Sequence, residues 1–199
     1  MTQYEKPYWN LDQLVCGIDE VGRGPIAGPL VVCGVVLPID FFNETINDSK
    51  TLSVKKREIL FQVIIDNALS IEVEIINEKT VDQQNIYQAT KLAMEAIADR
   101  CKASHCLADA MNLESNKGCT SIIKGDSKSI SIAAASIVAK VIRDQIMINF
   151  DCIYPQYDFK NNKGYPTKKH KEALESYGYI SIHRKSFNPV LSMIKNNEE

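Results

Sequence analysis

Gly17 to Leu37 reads GIDEVGRGPIAGPLVVCGVVL: a short apolar lead-in closing on two carboxylates, then a glycine-rich turn, then a β-branched run. The lead-in, Leu14 to Asp19, predicts a short strand that ends on an acid. Leu30 to Leu37 is nearly all apolar, which predicts a strand buried on both faces. Between them the glycines are spaced G-x-G-x-x-x-G (Gly22, Gly24, Gly28), one residue longer than the dinucleotide-binding fingerprint. A strand follows where that fingerprint needs an amphipathic helix, so a Rossmann reading fails. Glycines on both sides of Arg23 instead predict a tight loop whose backbone can press against a ligand.

Outward from this hairpin, Leu52 to Ala68 has helical spacing. Ile71 to Ile76 alternates with Glu72 and Glu74, the period of a half-exposed strand. Thr80 or Asp82 is positioned to cap one long helix running to about Arg100. His105 to Ala108 and Ser121 to Ile123 read as short strands, each followed shortly by an aspartate. Ser127 or Ser129 caps a helix through Phe150, whose SIAAASIVAK stretch is rich in the small residues that let a helix approach a sheet. Pro166 suits the first turn of a further helix ending near Tyr177, with Gly178 as its stop. Strands first, then alternating helix and strand, then helices predict an α/β layer with a mixed β-sheet flanked by helices and a helical C-terminal extension.

The length of 199 residues suits one domain, 1–199, in which about 150–199 form the basic helical extension. The longest apolar run, Pro29 to Pro38, is too short to span a bilayer. Met1 to Asn10 (MTQYEKPYWN) has neither the basic start nor the apolar core of a secretory signal. No membrane association and a cytoplasmic location are the expectation. The cysteines (Cys16, Cys33, Cys101, Cys106, Cys119, Cys152) contain no C-x-x-C pair, and only His105, His170 and His183 are available beside them. They read as plain core or surface thiols rather than a zinc site. The net charge of −2 conceals an asymmetry, because Lys160 to Lys185 carries seven Lys/Arg against Glu172 and Glu175, a local +5. Such an end suits either a phosphate-binding face or a solvated charged helix.

Four carboxylates stand out by position. Asp19 and Glu20 close the first strand, Asp109 follows His-Cys-Leu-Ala, and Asp126 follows Ile-Ile-Lys-Gly. Acids at the ends of apolar strands can converge at one sheet edge, where each resists ionising unless a cation joins them. A pair of Mg²⁺ or Mn²⁺ ions, taking oxygen ligands, answers that need and can work on a phosphodiester without a nucleophilic side chain. No Ser/His/Asp or Cys/His arrangement competes with this reading. With 25 acidic residues in the chain, chance placement is the alternative. Adjacent residues of a strand face opposite ways, so Asp19 and Glu20 share a site only if the strand ends or bulges there.

At these residues the chain resembles the ribonuclease HII family. The opening GIDEVGRGPIAGPLVVCGVVL, NDSKTLSVKKRE at Asn47 to Glu58, KGDSKSISIAAASIVAKVIRD at Lys124 to Asp144, and GYPTKKH and IHRKSF near the end are similar to it in the same order. The resemblance implies a ribonuclease H-like fold. It also implies that Asp19, Glu20, Asp109 and Asp126 are catalytic metal ligands for two ions, and that Gly22-Arg23-Gly24 recognises the ribonucleotide 2′-hydroxyl. Tyr165 resembles the tyrosine that packs on the sugar at the RNA–DNA junction. Lys50 and Arg184 resemble phosphate contacts, and His183 orients the tail, meets phosphate or has a structural role. The implied activity is an endonuclease that hydrolyses the RNA strand of RNA–DNA hybrids. It would also cut 5′ of ribonucleotides embedded in duplex DNA, leaving 3′-hydroxyl and 5′-phosphate ends, a monomer serving ribonucleotide removal.

Two departures stand beside the resemblance. Ala110 follows the third aspartate where many relatives have glycine. Gly178-Tyr-Ile-Ser-Ile-His183 replaces a proline-containing approach to the tail. Two rivals also stand. Ribonuclease HIII typically has a lysine between the two glycines, where this chain has Arg23. A non-catalytic binder of RNA–DNA hybrids gains nothing from four acids facing phosphates.

Overall fold

A short helix α1 (Lys6–Trp9) precedes strand β1 (Val15–Val21), which pairs antiparallel with β2 (Leu30–Val36). Helix α2 (Val54–Asn67), strand β3 (Ser70–Ile76), helices α3 (Glu78–Gln84) and α4 (Ile86–Arg100), and strands β4 (His105–Asp109) and β5 (Gly118–Ile122) follow. The long α5 (Ile130–Ile153), a one-turn α6 (Phe159–Asn162), α7 (Lys168–Tyr177) and α8 (Val190–Asn196) complete the order. The strands form one sheet, β3-β2-β1-β4-β5, in which β1–β4 and β4–β5 are parallel, so the sheet is mixed as expected. These coordinates form a computed structural model that describes residues 1–47, 49 and 52–196. Among them no helix is long and apolar enough to cross a membrane.

The chain divides into two compact units. The first comprises Met1–Val21, Val31–Glu74 and Thr90–Val141; the second comprises Gly22–Leu30, Ile75–Ala89 and Ile142–Glu199. The second unit takes in the later part of α5 and the glycine loop as well as the tail.

In the first unit, β1 and β2 are buried almost throughout, as their apolar runs predict. The first half of α5 lies directly on β1. A Cβ added at Gly17 would stand 2.0 Å from the Ser131 carbonyl carbon, so only glycine permits this approach. Ala133, Ala134, Ala135 and Ser136, all buried, supply the small helix face that the sequence advertised. Ser129 caps the helix by accepting from Ile132 N–H at 3.2 Å. Beside it lies the buried carboxylate of Glu5, which accepts from Ser129 Oγ (2.5 Å) and Ser131 N–H (3.1 Å). A negative charge at a helix N-terminus meets the positive end of its dipole, which suits this buried acid.

The single helix expected up to Arg100 is two. Asn77, not Thr80 or Asp82, caps the first by accepting from Thr80 N–H. Asn85, at φ 64°, then breaks the run and caps α4 by accepting from Gln88 N–H at 3.0 Å. Asparagine tolerates the left-handed region because its short amide satisfies nearby backbone groups, which periodicity alone does not reveal.

The second unit has its own core of Ile26, Ala27, Met147, Tyr157, Phe159, Ala173, Leu174, Ile182 and Val190. Helix α7 starts at the Thr167 cap, where the hydroxyl accepts from His170 N–H, and stops at Gly178 (φ 75°). Pro166 thus lies just outside the helix.

Candidate active site

All four singled-out carboxylates belong to the first unit. Asp19 lies in β1, paired across from Cys33, and is 4% exposed. Ile18 pairs with Ala108 in the parallel β1–β4 ladder. One step further along, Asp19 and Asp109 stand at the same level, and equal register puts them on the same face. Strand β4 ends there, as Ala110 turns the chain at φ 47°. That left-handed backbone explains why glycine suits the position after the aspartate. Asp109 Oδ1 accepts from Gly125 N–H at 2.7 Å, tying it to the 3₁₀ turn Gly125–Ser127 that carries the buried Asp126.

Asp19 and Glu20 do not sit at a strand end. Both pair in regular register with β2, and β1 runs on to Val21 without a bulge. The requirement that the strand stop or bulge at the pair is therefore not met, yet the Glu20 charge still acts on Asp19. Burial above all, then the charges of Glu20 and Asp109, hold the Asp19 carboxyl well above the usual carboxylate range. Ser136 opposes this by donating to Asp19, as does the Glu20 N–H at 2.8 Å. Ser136 Oγ also lies 2.9 Å from Ser49 Oγ. Composition hid this serine within a run of alanines; its signal is the polar residue in an otherwise apolar helix face, reaching Asp19 because Gly17 lets α5 come close.

The donor set is all oxygen, and its buried Asp19 resists ionising beside Glu20 and Asp109, which fits a hard divalent cation. As the side chains stand, no three His, Cys, Asp or Glu among the described residues enclose one ion position. The acids are gathered but not closed.

The second unit holds the rest of the described candidates. Arg23 and Gly24 are exposed while Gly22 is buried. The loop is wired from beneath by two wholly buried arginines. Arg184 donates from Nη2 to Gly22 O (2.7 Å) and Gly28 O (3.0 Å), from Nη1 to Arg23 O (3.1 Å), and from Nε to Gly28 O (3.2 Å). Arg143 donates to the carbonyls of Pro29 (2.8 Å), Lys163 (2.9 Å) and Ala27 (3.2 Å). Burial pushes both guanidiniums down, to about 10, and the Arg143 charge lowers Arg184 further. Neutral carbonyls arranged around a guanidinium satisfy its donors while leaving its positive charge in place. Gly22 has φ 106°, and an added Cβ would lie 2.3 Å from Arg143 Nε, so the loop and this arginine require each other.

Arg184 corrects the expectation of a phosphate contact. Its side chain is fully buried and spent on loop carbonyls, so it shapes the loop rather than reaching a ligand. His183 is likewise buried, with its ring facing His170 rather than solvent. Lys50 lies outside the described residues. Arg143 was not anticipated, since an arginine late in an apolar helix reads as a solvated residue on sequence alone.

Tyr165 is half exposed, and its Cε1 lies 3.4 Å from where a Gly24 Cβ would be. The loop and this ring are therefore neighbours. A buried chain of hydrogen bonds holds the tyrosine backbone. Ile180 N–H donates to His183 Nδ1 (3.0 Å), the two histidine Nε2 atoms lie 3.0 Å apart, and His170 Nδ1 lies 2.8 Å from Tyr165 O. These partners dictate the tautomers: His183 donates from Nε2 to His170, and His170 donates from Nδ1 to Tyr165. Burial and then the facing His170 push His183 down to about 4, and burial lowers His170 as well. Both rings are neutral links in a one-way chain.

The architecture is that of the ribonuclease H-like nucleases. The ribonuclease H2 of Pyrococcus horikoshii OT3 superposes with a TM-score of 0.76 over 94% of this chain and 99% of its own, at 24% identity. The Archaeoglobus fulgidus RNase HII solved with PCNA gives 0.77 over 88% and 95%, at 25% identity. Within that class the chain belongs to the ribonuclease HII family, whose model matches residues 16–190. It is 53% identical over 189 residues to the ribonuclease HII of Lactobacillus johnsonii, covering 94% of this chain and 76% of that one. With that of Acholeplasma laidlawii it shares 50% over 196 residues, covering 96% and 94%. As a member it is an endoribonuclease acting on RNA–DNA hybrids.

Proposed function

We propose that the chain hydrolyses the phosphodiester 5′ of a ribonucleotide, in hybrids and at single ribonucleotides in duplex DNA, leaving 3′-hydroxyl and 5′-phosphate ends. The observation that carries this is Asp19, buried beside Glu20 and Asp109 and held back from ionising until a cation arrives. Asp19, Glu20, Asp109 and Asp126 would hold two Mg²⁺ or Mn²⁺ ions. Manganese is supported by the Bst-RNase HIII solved in complex with Mn²⁺, which shares the fold at a TM-score of 0.69. Bound there, such ions would supply Lewis-acid chemistry, polarising the phosphate and activating water. Ser136 holds the Asp19 carboxylate in one orientation, and the Gly125 N–H does the same for Asp109.

Selectivity belongs to the exposed Gly22-Arg23-Gly24 turn. Its carbonyls turn inward to the buried guanidinium of Arg184, which fixes the backbone that would read the 2′-hydroxyl. Tyr165 stands beside Gly24 to pack on the sugar. DNA containing ribonucleotides and RNA–DNA hybrids are thus the partners, and a monomer suffices.

The test is a DNA duplex with one internal ribonucleotide, incubated with Mg²⁺ or Mn²⁺ and with a chelator control. Metal-dependent cutting on its 5′ side, with an all-DNA duplex untouched, is expected. Cutting of long hybrids alone would move the chain to another ribonuclease H specificity. Binding without any turnover would make it a hybrid-binding module.

A further inference from the structure

Four thiols converge in the first unit, away from any role in the reaction. Cys16 and Cys106 are register partners across β1 and β4, and Cys106 and Cys119 are partners across β4 and β5. Partnered positions share a face, so these three side chains form a row over adjacent strands. Cys101, in the turn just after α4, completes the group. Its Sγ lies 3.7 Å from Cys106 Sγ, and Lys117 Nζ lies 3.8 Å from Cys101 Sγ while also donating to the Cys101 carbonyl. Helix α4 anchors both sulfurs, since the Cys101 and Cys106 thiols point to the same Ala98 carbonyl at 3.2 and 3.9 Å. Cys152, by contrast, is exposed and belongs to the second unit.

We propose that Cys101 and Cys106 are an oxidisable dithiol, a modification site that a peroxide converts to a disulfide between the end of α4 and strand β4. The sulfurs must close from 3.7 Å to about 2.05 Å, and both are buried, so the reaction needs a local opening of the turn that carries Cys101 without global unfolding. The roles of the two sulfurs follow from their surroundings. The neighbouring Cys106 and Cys16 sulfurs, and then the facing Lys117 ammonium, hold the Cys101 thiol below its ordinary value. Cys106 is held above its own, chiefly by Cys101 itself. The Lys117 ammonium lies 3.8 Å from Cys101 Sγ, where it stabilises a thiolate, so Cys101 is the nucleophile and Cys106 the resolving thiol.

The Cys101 thiolate attacks one peroxide oxygen. The O–O bond breaks, and hydroxide leaves and takes up a proton as water, giving a sulfenic acid. Cys106 sulfur then attacks Cys101 sulfur, displacing that hydroxyl as a second water with the Cys106 proton. Two thiols lose two electrons, and one peroxide becomes two waters. A dithiol reductant reverses the change by exchange.

The experiment treats the folded protein with equimolar hydrogen peroxide, blocks free thiols with iodoacetamide, and maps peptides without reduction. The expected product links Cys101 to Cys106 with the loss of two hydrogens, forms before Cys152 reacts, and disappears with dithiothreitol. Cys106→Ser should halt at a sulfenic acid on Cys101 that dimedone traps, and Cys101→Ser should leave Cys106 as a free thiol. Oxidation of Cys152 while Cys101 and Cys106 still alkylate would overturn the proposal. So would a link that forms only after circular dichroism reports unfolding, or one that joins Cys106 to Cys16 or Cys119 instead.

Discussion

The two regions that carry candidate residues are built on opposite electrostatic plans. In the first unit, acids are set side by side with a buried Asp19 that neither burial nor its neighbours favour in the charged form. In the second, the buried charges are the guanidiniums of Arg143 and Arg184, and their donors are satisfied by loop carbonyls. The first region stores a repulsion that a divalent cation would relieve; the second spends its polar groups on holding a loop. Chemistry needs the former, because a site that binds ions must want them. On the proposed reading, recognition needs the latter, because a backbone that does not yield would discriminate a 2′-hydroxyl.

Removing a carboxylate should break the comparison most severely. Asp126→Asn or Asp19→Asn is expected to cut the cleavage rate by about a thousand-fold or more, with the circular dichroism spectrum unchanged. Asp19→Asn should at the same time raise the metal-free melting temperature. An Asp whose folded pKa is raised loses stability as pH climbs past its unfolded value, so at neutral pH the charged form is a burden that asparagine removes. Manganese should raise the melting temperature of the parent more than that of this variant. Retained activity in a folded variant would end the metal assignment.

Arg184→Met should act on stability first. It leaves the carbonyls of Gly22, Arg23 and Gly28 without this donor, and an unsatisfied buried acceptor costs about 1–3 kcal/mol. Arg184→Lys should not restore the parental melting temperature, because a point charge on a flexible stem cannot reach all three. Full rescue by lysine would show that charge, not the fork, matters.

The histidine chain gives a smaller effect with a defined pH window. His183 is neutral in the fold with a value of about 4, against about 6.5 when unfolded. A base whose folded pKa is depressed contributes stability that is whole above the unfolded value and lost as pH falls from about 6.5 towards 4. The loss integrates to about 3 kcal/mol, and protonation would set His183 Nδ1–H against Ile180 N–H. Thermal melts over that range should show the decline in the parent and a flatter profile in His183→Gln.

Much of this was legible in the chain, and the reasons differ by element. Strands β1 and β2 follow from apolar runs, and the carboxylates from their places at or near strand ends. The break at Asn85 escaped notice because both helices keep one hydrophobic period through it, while a side-chain cap leaves no periodic trace. Ser136, Arg143 and Glu5 were missed for a common reason: their partners are distant in sequence, and polar residues buried against such partners look like surface residues in a linear reading. Arg184 was seen but misplaced, since its motif marks importance without saying whether the guanidinium faces a ligand or the loop. The thiol row depends on strand register, which spacing along the chain cannot supply.

The mildest change is Gly24→Ala, whose new methyl would meet Tyr165 Cε1 at 3.4 Å and shift the ring by a few tenths of an ångström. Its melting temperature should stay near the parental value, while preference for a ribonucleotide falls by roughly tenfold, about 1.4 kcal/mol.

Set against Asp126→Asn, it gives the most direct test of the division of labour. The measurement is the affinity for a duplex with one ribonucleotide relative to its all-DNA counterpart, taken for both variants under the same salt and metal. Asp126→Asn should keep the parental preference although it no longer cuts, and Gly24→Ala should lose most of that preference although it still cuts. The reverse pattern, with discrimination lost at the carboxylate and intact at the loop, would contradict the account.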